Sequence, residues 1–382
     1  MNALLRAAGF SIVALGLLSG CNDDKTTTVT DAGVDDAGSN KALLSGKLGA
    51  AVAAAESGSS QAATPKAPGD GPPEAGFFPP GGADKAQPPG APPKVEVLDE
   101  GAEPKVLLTT APSSEQQVQV AASYRLGQQG TPFEFSLAIK SAKGKDEKVD
   151  APQIVAKVVS IEIPGMSGKL PKEVAEGLEK LKKGLDKLKG SEVRYRLTSD
   201  GTMLDVSTSV PKDKDKDKTK DADTEASAQV DATIDLAMRG LLEAMTLTTV
   251  PLPPKPVGVG GYWIATDRGT SFGIEVVRYR VFKVQKIEKG QATLTVDTRQ
   301  YAVKDEIDLG AIAKNQKITV ERFDSQGKGT ISWVSSQILP ATSEVSQRTA
   351  MLFGGPPGQP KNGLQVELVA RTSAPEKTDK KK

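Results

Sequence analysis

Val277-Arg278-Tyr279-Arg280-Val281 alternates apolar and charged side chains one for one, and a turn at Gly290 returns the chain through Leu294 and Val296. A period of two puts successive side chains on opposite faces of an extended strand, so this stretch reads as one half of a β-hairpin. The same rhythm spreads outward from it. Val118, Val120, Ala122, Tyr124 and Leu126 alternate with Gln117, Gln119, Ser123 and Arg125, and Phe133, Phe135, Leu137 and Ile139 follow. Val193, Tyr195 and Leu197 lead through Asp200-Gly201 into Leu204, Val206 and Thr208. Ile318 and Val320, a turn at Gly327-Lys328-Gly329, and Ile331 with Trp333 read as another hairpin, and Leu364, Val366 and Leu368 close the series. One apolar face per strand implies an antiparallel sheet of about ten strands covered on one side only.

Two segments have helical spacing and supply the cover. Val174, Leu178, Leu181, Leu185 and Leu188 step by four and three between Pro171 and Gly190, a first-turn proline and a terminating glycine. Val230, Ile234, Met238, Leu241, Leu242 and Met245 form a second stripe that ends before Pro251. The first helix carries Lys172, Lys180, Lys182, Lys183, Lys187 and Lys189, but Glu173, Glu176, Glu179 and Asp186 offset most of that charge. It therefore reads as a core-packing helix with a solvated back rather than a membrane-surface helix. The expected fold is β-rich α+β: a strongly curved antiparallel sheet, an incomplete barrel, packed on two amphipathic helices over residues 95–376. Residues 211–225, a Lys/Asp run, read as a disordered loop, and residues 377–382 as a solvated lysine tail.

Residues 21–94 have a different composition, rich in Ala, Gly, Pro, Ser and Asp, with Asp31-Ala32-Gly33 echoed by Asp36-Ala37-Gly38. Such a segment cannot repay its ordering entropy and reads as a disordered tether. As a flexible coil, about 70 residues span roughly 45–50 Å. A calcium loop would need alternating ligands ending in a glutamate, which the acidic motif lacks.

At the N-terminus, Arg6 precedes the uncharged stretch Ala7–Leu18, the length of a signal-peptide core and too short to span a bilayer. Leu18-Ser19-Gly20-Cys21 follows. This resembles the lipobox of bacterial lipoproteins, which implies cleavage between Gly20 and Cys21 after a signal peptide of residues 1–20. It also implies lipid, palmitate included, on the Cys21 thiol. Acyl chains add roughly 0.8 kcal/mol per buried methylene, so several chains make a lasting anchor. The same resemblance implies that Asn22 after the cysteine favours the outer membrane over the inner, facing either the periplasm or the cell surface.

Composition narrows the chemistry. Removing residues 1–20 takes one arginine and no acid, which leaves basic and acidic residues balanced at 48 each. A balanced chain has no electrostatic footprint for nucleic acid. There is no histidine, and Cys21 is the sole cysteine. Histidine-dependent nucleophilic catalysis, thiolate catalysis, disulfides and histidine-ligated metals are thereby excluded. No cofactor or metal is expected. Carboxylate chemistry remains as an alternative, but no paired acids stand out.

Pro251-Leu252-Pro253-Pro254-Lys255-Pro256-Val257-Gly258-Val259-Gly260-Gly261-Tyr262-Trp263 is the most distinctive stretch. It is similar to a motif of uncharacterised exported lipoproteins of myxobacteria and planctomycetes, a resemblance that implies no activity. Its glycines open a strand, not the helix a nucleotide loop would open, so they read as backbone geometry. The inferred architecture is also similar to half-barrel carriers of acyl chains. In that case Tyr124, Phe133, Phe135, Tyr195, Tyr279, Phe282 and Trp333 would line a cavity; otherwise they are ordinary core. The expectation is a non-catalytic envelope lipoprotein, membrane-bound through Cys21, that binds a protein or polymer partner. A carrier or sensor of lipid is the alternative, and a carboxylate hydrolase a further one.

Overall fold

The alternating stretch lies in the middle of strand β8 (Ile274–Glu288), which pairs antiparallel with β7 (Tyr262–Ser271) on one side and β9 (Gln291–Ala302) on the other. A computed structural model describes residues 76–126, 129–142, 151–164, 179, 181–211, 225–307, 318–353 and 362–375. All belong to one unit, Pro73–Lys382. Cys21, Gly20, most of the expected tether, residues 212–224 of the Lys/Asp loop and the lysine tail lie outside them.

The remaining strands are β1 (Lys94–Asp99), β2 (Glu115–Leu126), β3 (Gln129–Ala142), β4 (Gln153–Glu162), β5 (Glu192–Leu197) and β6 (Met203–Ser209). After them come β10 (Glu306–Ile307), β11 (Ile318–Val334), β12 (Thr342–Phe353) and β13 (Asn362–Ser373). Helix α1 (Gly82–Ala86) is short, and α2 (Glu225–Thr248) is long. Twelve strands form one antiparallel path in the order β1-β7-β8-β9-β11-β12-β13-β2-β3-β4-β5-β6, and β10 pairs off it with β11. The path is not closed into a barrel, because β1 and β6 have no partner in each other. The C-terminal strand β13 lies against β2, from Val366 opposite Leu126 to Ser373 opposite Gln119.

This path cannot be flat. Neighbouring strands sit about 4.8 Å apart, so β7 and the β5–β6 turn would be roughly 45 Å from each other in a flat sheet. Yet the Trp263 indole on β7 donates to the Pro251 carbonyl at 2.8 Å, and the next residue, Leu252, donates its N–H to Asp200 in the β5–β6 turn at 2.7 Å. Likewise Phe272, at the tip of the β7–β8 hairpin, meets the Tyr124 ring of β2 with centroids 5.5 Å apart. The ends of the path have come round toward each other.

Helix α2 packs on β2, β13, β12 and β3. Its expected stripe is the packed face: Met238, Leu241 and Met245 are buried, joined by Ala237, Ala244 and Leu247, while Ile234 and Leu242 are partly covered. The Thr248 and Thr249 hydroxyls bond back to the carbonyls of Ala244 and Met245 where the helix ends, ahead of Pro251. Of the other expected helix, residues 171–178 and 180 lie outside the described part. Residues 181–186 are helical, and Leu185 and Leu188 join the core.

Three expectations are corrected. Gly327-Lys328-Gly329 is not a turn: β11 runs straight through it for 17 residues, paired with β9 and β12. The glycines serve close packing there, because a Cβ on Gly327 would lie 2.3 Å from the Gln347 Oε1 and 2.6 Å from the Ser346 carbonyl oxygen. Second, residues 76–94, expected as part of the tether, are packed into the same unit as the strands. Phe77 bridges Ala302, the Phe78 ring packs edge-on against Tyr301, and Asp84 in α1 pairs with Arg268 of β7. Third, the sheet is not covered on one side only. From Val276 to Phe282 every side chain of β8 is buried, and on the outer side Phe78 packs on Tyr301 of β9 and Asp84 pairs with Arg268 of β7. Strands β1, β4, β10 and β12 were not anticipated.

The glycine-rich motif behaves as expected from backbone geometry. Gly258 donates its N–H to Glu100 at 2.7 Å, and a Cβ there would lie 1.7 Å from the Ala102 carbonyl oxygen. Only glycine allows the two segments to approach this closely.

Candidate functional site

Register assigns each candidate aromatic to a face. Phe282 lies opposite Trp263 and Val296, Phe133 opposite Ala122, and Phe135 opposite Val120. Following these pairs across the sheet puts Tyr124, Phe133, Phe135, Tyr195, Phe282 and Trp333 on the inner face, all in one apolar cluster with α2. Tyr279 is on the opposite face. It meets Tyr301 edge-on with centroids 5.9 Å apart, and so it does not join the other six. None of the seven exceeds 9% exposure. Phe282 stacks on Trp263 at 5.5 Å, and Phe133 tilts against Phe135 at 6.5 Å. Burial drives the hydroxyls of Tyr124 and Tyr195 well above the ordinary tyrosine pKa. A cavity of about 10 Å³ lies between Thr110, Leu197, Thr249, Trp333 and Gln337. That is room for one water, and the Thr110 hydroxyl and the Gln337 Oε1 beside it lack protein partners.

The inner face also carries something the alternation concealed. Arg278 and Arg280 point inward with Phe282 and Val284, not outward, and are only 3% and 2% exposed. Across β7, Asp267 receives Arg278 Nε at 2.8 Å and lies 2.9 Å from Arg280 Nη2. Burial works to raise the Asp267 pKa, but the two guanidiniums outweigh it and hold it below the usual aspartate range. Arg280 also donates Nη1 to the carbonyls of Thr246 and Thr249, at 2.9 and 2.8 Å. Helix α2 has no basic residue in its last turn, and this arginine from β8 supplies the cation its C-terminus favours.

From there a polar belt crosses the sheet. Gln300 lies opposite Arg278, and Ser325 opposite Gln300. Thr298 lies opposite Arg280, Gly327 opposite Thr298, and Gln347 opposite Gly327. Ser325 and the Thr349 hydroxyl are 2.7 Å apart, and the Gln347 amide donates to Ser325 at 2.8 Å. Above the belt sits Glu243 of α2, bonded by the Ser271 hydroxyl at 2.6 Å. Burial raises the Glu243 pKa above the ordinary range, against the pull of Ser271 and Arg278. The belt separates the main cluster from a second apolar cluster of Ile274, Val276, Ala302, Val320, Phe323 and Met351.

Besides Asp267 Oδ2, which faces Arg280 Nη2 at 2.9 Å without a hydrogen bond, five buried polar atoms of the belt have no protein partner: Arg278 Nη1, Arg280 Nε, Thr298 Oγ1, Gln300 Nε2 and Gln347 Oε1. Leaving a buried polar group unsatisfied costs about 1–3 kcal/mol, so five such groups rival the whole stability of a typical domain. Among the described residues no group of three or more acids, cysteines or histidines is placed to hold a metal.

Sequence reading missed the belt because it took Arg278 and Arg280 as solvated. One signal was available: Ile274, Val276, Phe282 and Val284 share their parity, which marks that face of β8 as apolar too. Compared with known proteins, the chain matches no family model and no characterised protein.

Proposed function

We propose that the protein is a lipid-anchored, non-catalytic component of a bacterial cell envelope, held to the outer membrane through Cys21, whose domain binds a protein or polymer partner. In this reading the domain is an incomplete barrel, strongly curved around two amphipathic helices, and partners engage its outside. The observation that carries it is the filled inner face. Six aromatic side chains suited to line a ligand cavity are packed against one another, against α2 and against Trp263. Buried aromatic side chains of this size each contribute roughly 1.5–3 kcal/mol, a stabilisation that emptying the face would forfeit. The carrier alternative requires space where these side chains lie.

The test is expression of the full chain and its Cys21→Ala variant in a Gram-negative host fed an alkyne-tagged palmitate. The parent chain is expected to take up label and sediment with outer membranes. The variant is expected to be unlabelled and released, with no lipid adduct by native mass spectrometry. Label that persists without Cys21 rejects the anchor, and a stoichiometric lipid adduct on the released variant rejects the binder in favour of the carrier.

A further inference from the structure

We propose that the polar belt inside the sheet is a binding site for a small oxyanion such as phosphate, received by Arg278, Arg280, Thr298 and Gln300. The proposal is independent of the anchor and of any partner on the outside.

Three observations carry it. First, the unpaired atoms belong to neighbouring strands in register: Arg280 faces Thr298, Thr298 faces Gly327, and Gln347 follows, with Arg278 and Gln300 one step along. The Gln347 amide leans across Gly327 toward Thr298, since its Oε1 lies 2.3 Å from where a Cβ on Gly327 would be. The inner faces of a curled sheet converge, which draws these groups together. Second, the unmet capacity is mainly donor: Arg278 Nη1, Arg280 Nε and Gln300 Nε2 each offer hydrogens and the Thr298 hydroxyl adds another, against the acceptors Gln347 Oε1 and Asp267 Oδ2. An oxyanion presents several acceptors within a small radius, and guanidinium–oxyanion bonds are among the stronger hydrogen bonds. Third, the charges do not balance. Asp267 is the sole carboxylate paired with the two buried guanidiniums. Burial and the neighbouring Arg278 lower the Arg280 pKa even though Asp267 opposes them, and burial raises that of Glu243. Buried water would satisfy the hydrogen bonds but leave this charge uncompensated.

The oxyanion is either a free ion or the phosphate head of a short-chain amphiphile. Thermal unfolding of the full chain separates the sources, with inorganic phosphate as one probe and dihexanoyl phosphatidic acid below its micelle concentration as the other, at constant ionic strength. A ligand bound only by the folded state at a hundredfold excess over Kd raises Tm by about 5 °C in a domain of this size. Thr298→Val is the control. Its hydroxyl has no protein partner, so the variant folds as the parent does, yet it loses one bond to the ion and requires about tenfold more ligand for the same shift. A shift with phosphate supports the free ion, and a shift with the lipid alone supports the headgroup and, with it, the carrier reading over the binder. No shift with either probe, or an equal shift in parent and Thr298→Val, overturns the proposal and leaves ordered water in the belt.

Discussion

Asp267→Asn tests the central electrostatic claim. The parent carboxylate sits between two guanidiniums at 2.8 and 2.9 Å, and all three side chains are at most 8% exposed. The amide keeps the shape but loses the charge, and its oxygen can serve only one arginine well. Removing one partner of a buried pair costs about 3–5 kcal/mol, because the remaining charge stays buried without compensation. Arg280 keeps the carbonyls of Thr246 and Thr249, which places the expectation at the lower end, about 3 kcal/mol. The drop in Tm is then about 5 °C. The assay is urea unfolding of parent and variant at pH 7, read by tryptophan fluorescence, since Trp263 and Trp333 are both buried. The midpoint should fall with the slope unchanged. A loss under about 1 kcal/mol would refute the reasoning, since that is the size expected of a solvated surface pair.

Two further outcomes follow from the same geometry. The folded-state pKa of Glu243 is raised above 4.5, so its contribution is fully present below that value and is lost as pH rises through the folded pKa. Glu243→Gln, which can still accept from Ser271, should therefore gain stability relative to the parent between pH 4.5 and neutrality; parallel stability–pH curves would exclude this. Gly327→Ala places a methyl 2.3 Å from Gln347 Oε1 and 2.6 Å from a backbone oxygen. It should cost about 1–3 kcal/mol in chemical denaturation, whereas a change under about 0.5 kcal/mol would fit an open turn and contradict a continuous β11.

What the sequence determined by itself is what local chemistry can write along a line. Alternation at residues 117–126, 133–139 and 277–281 made strands legible, because every second side chain must share an environment. The stripe from Ile234 to Met245 made α2 legible for the same reason at a different period. The glycines of 258–261 were legible as close backbone approach. The lipobox-like run at Leu18–Cys21 is also linear, and it rests on resemblance.

Tertiary structure decided the rest. Alternation says that two faces differ, not which one meets the core. In β8 the face with two arginines turned inward, Val277, Tyr279 and Val281 were buried on the other face, and a segment of linker-like composition, 76–87, joined the sheet beside them. That segment holds through a few long-range contacts, Phe77 with Ala302 and Asp84 with Arg268, which no window of neighbouring residues contains. Gly327 reads as a turn in isolation and as a close approach once β12 lies beside it. The polar belt is assembled from five strands and one helix, so its members have no common spacing in the chain. The pairing of β13 with β2 and the curling of the sheet bring them together, and burial turns ordinary arginines, glutamines and a threonine into a site.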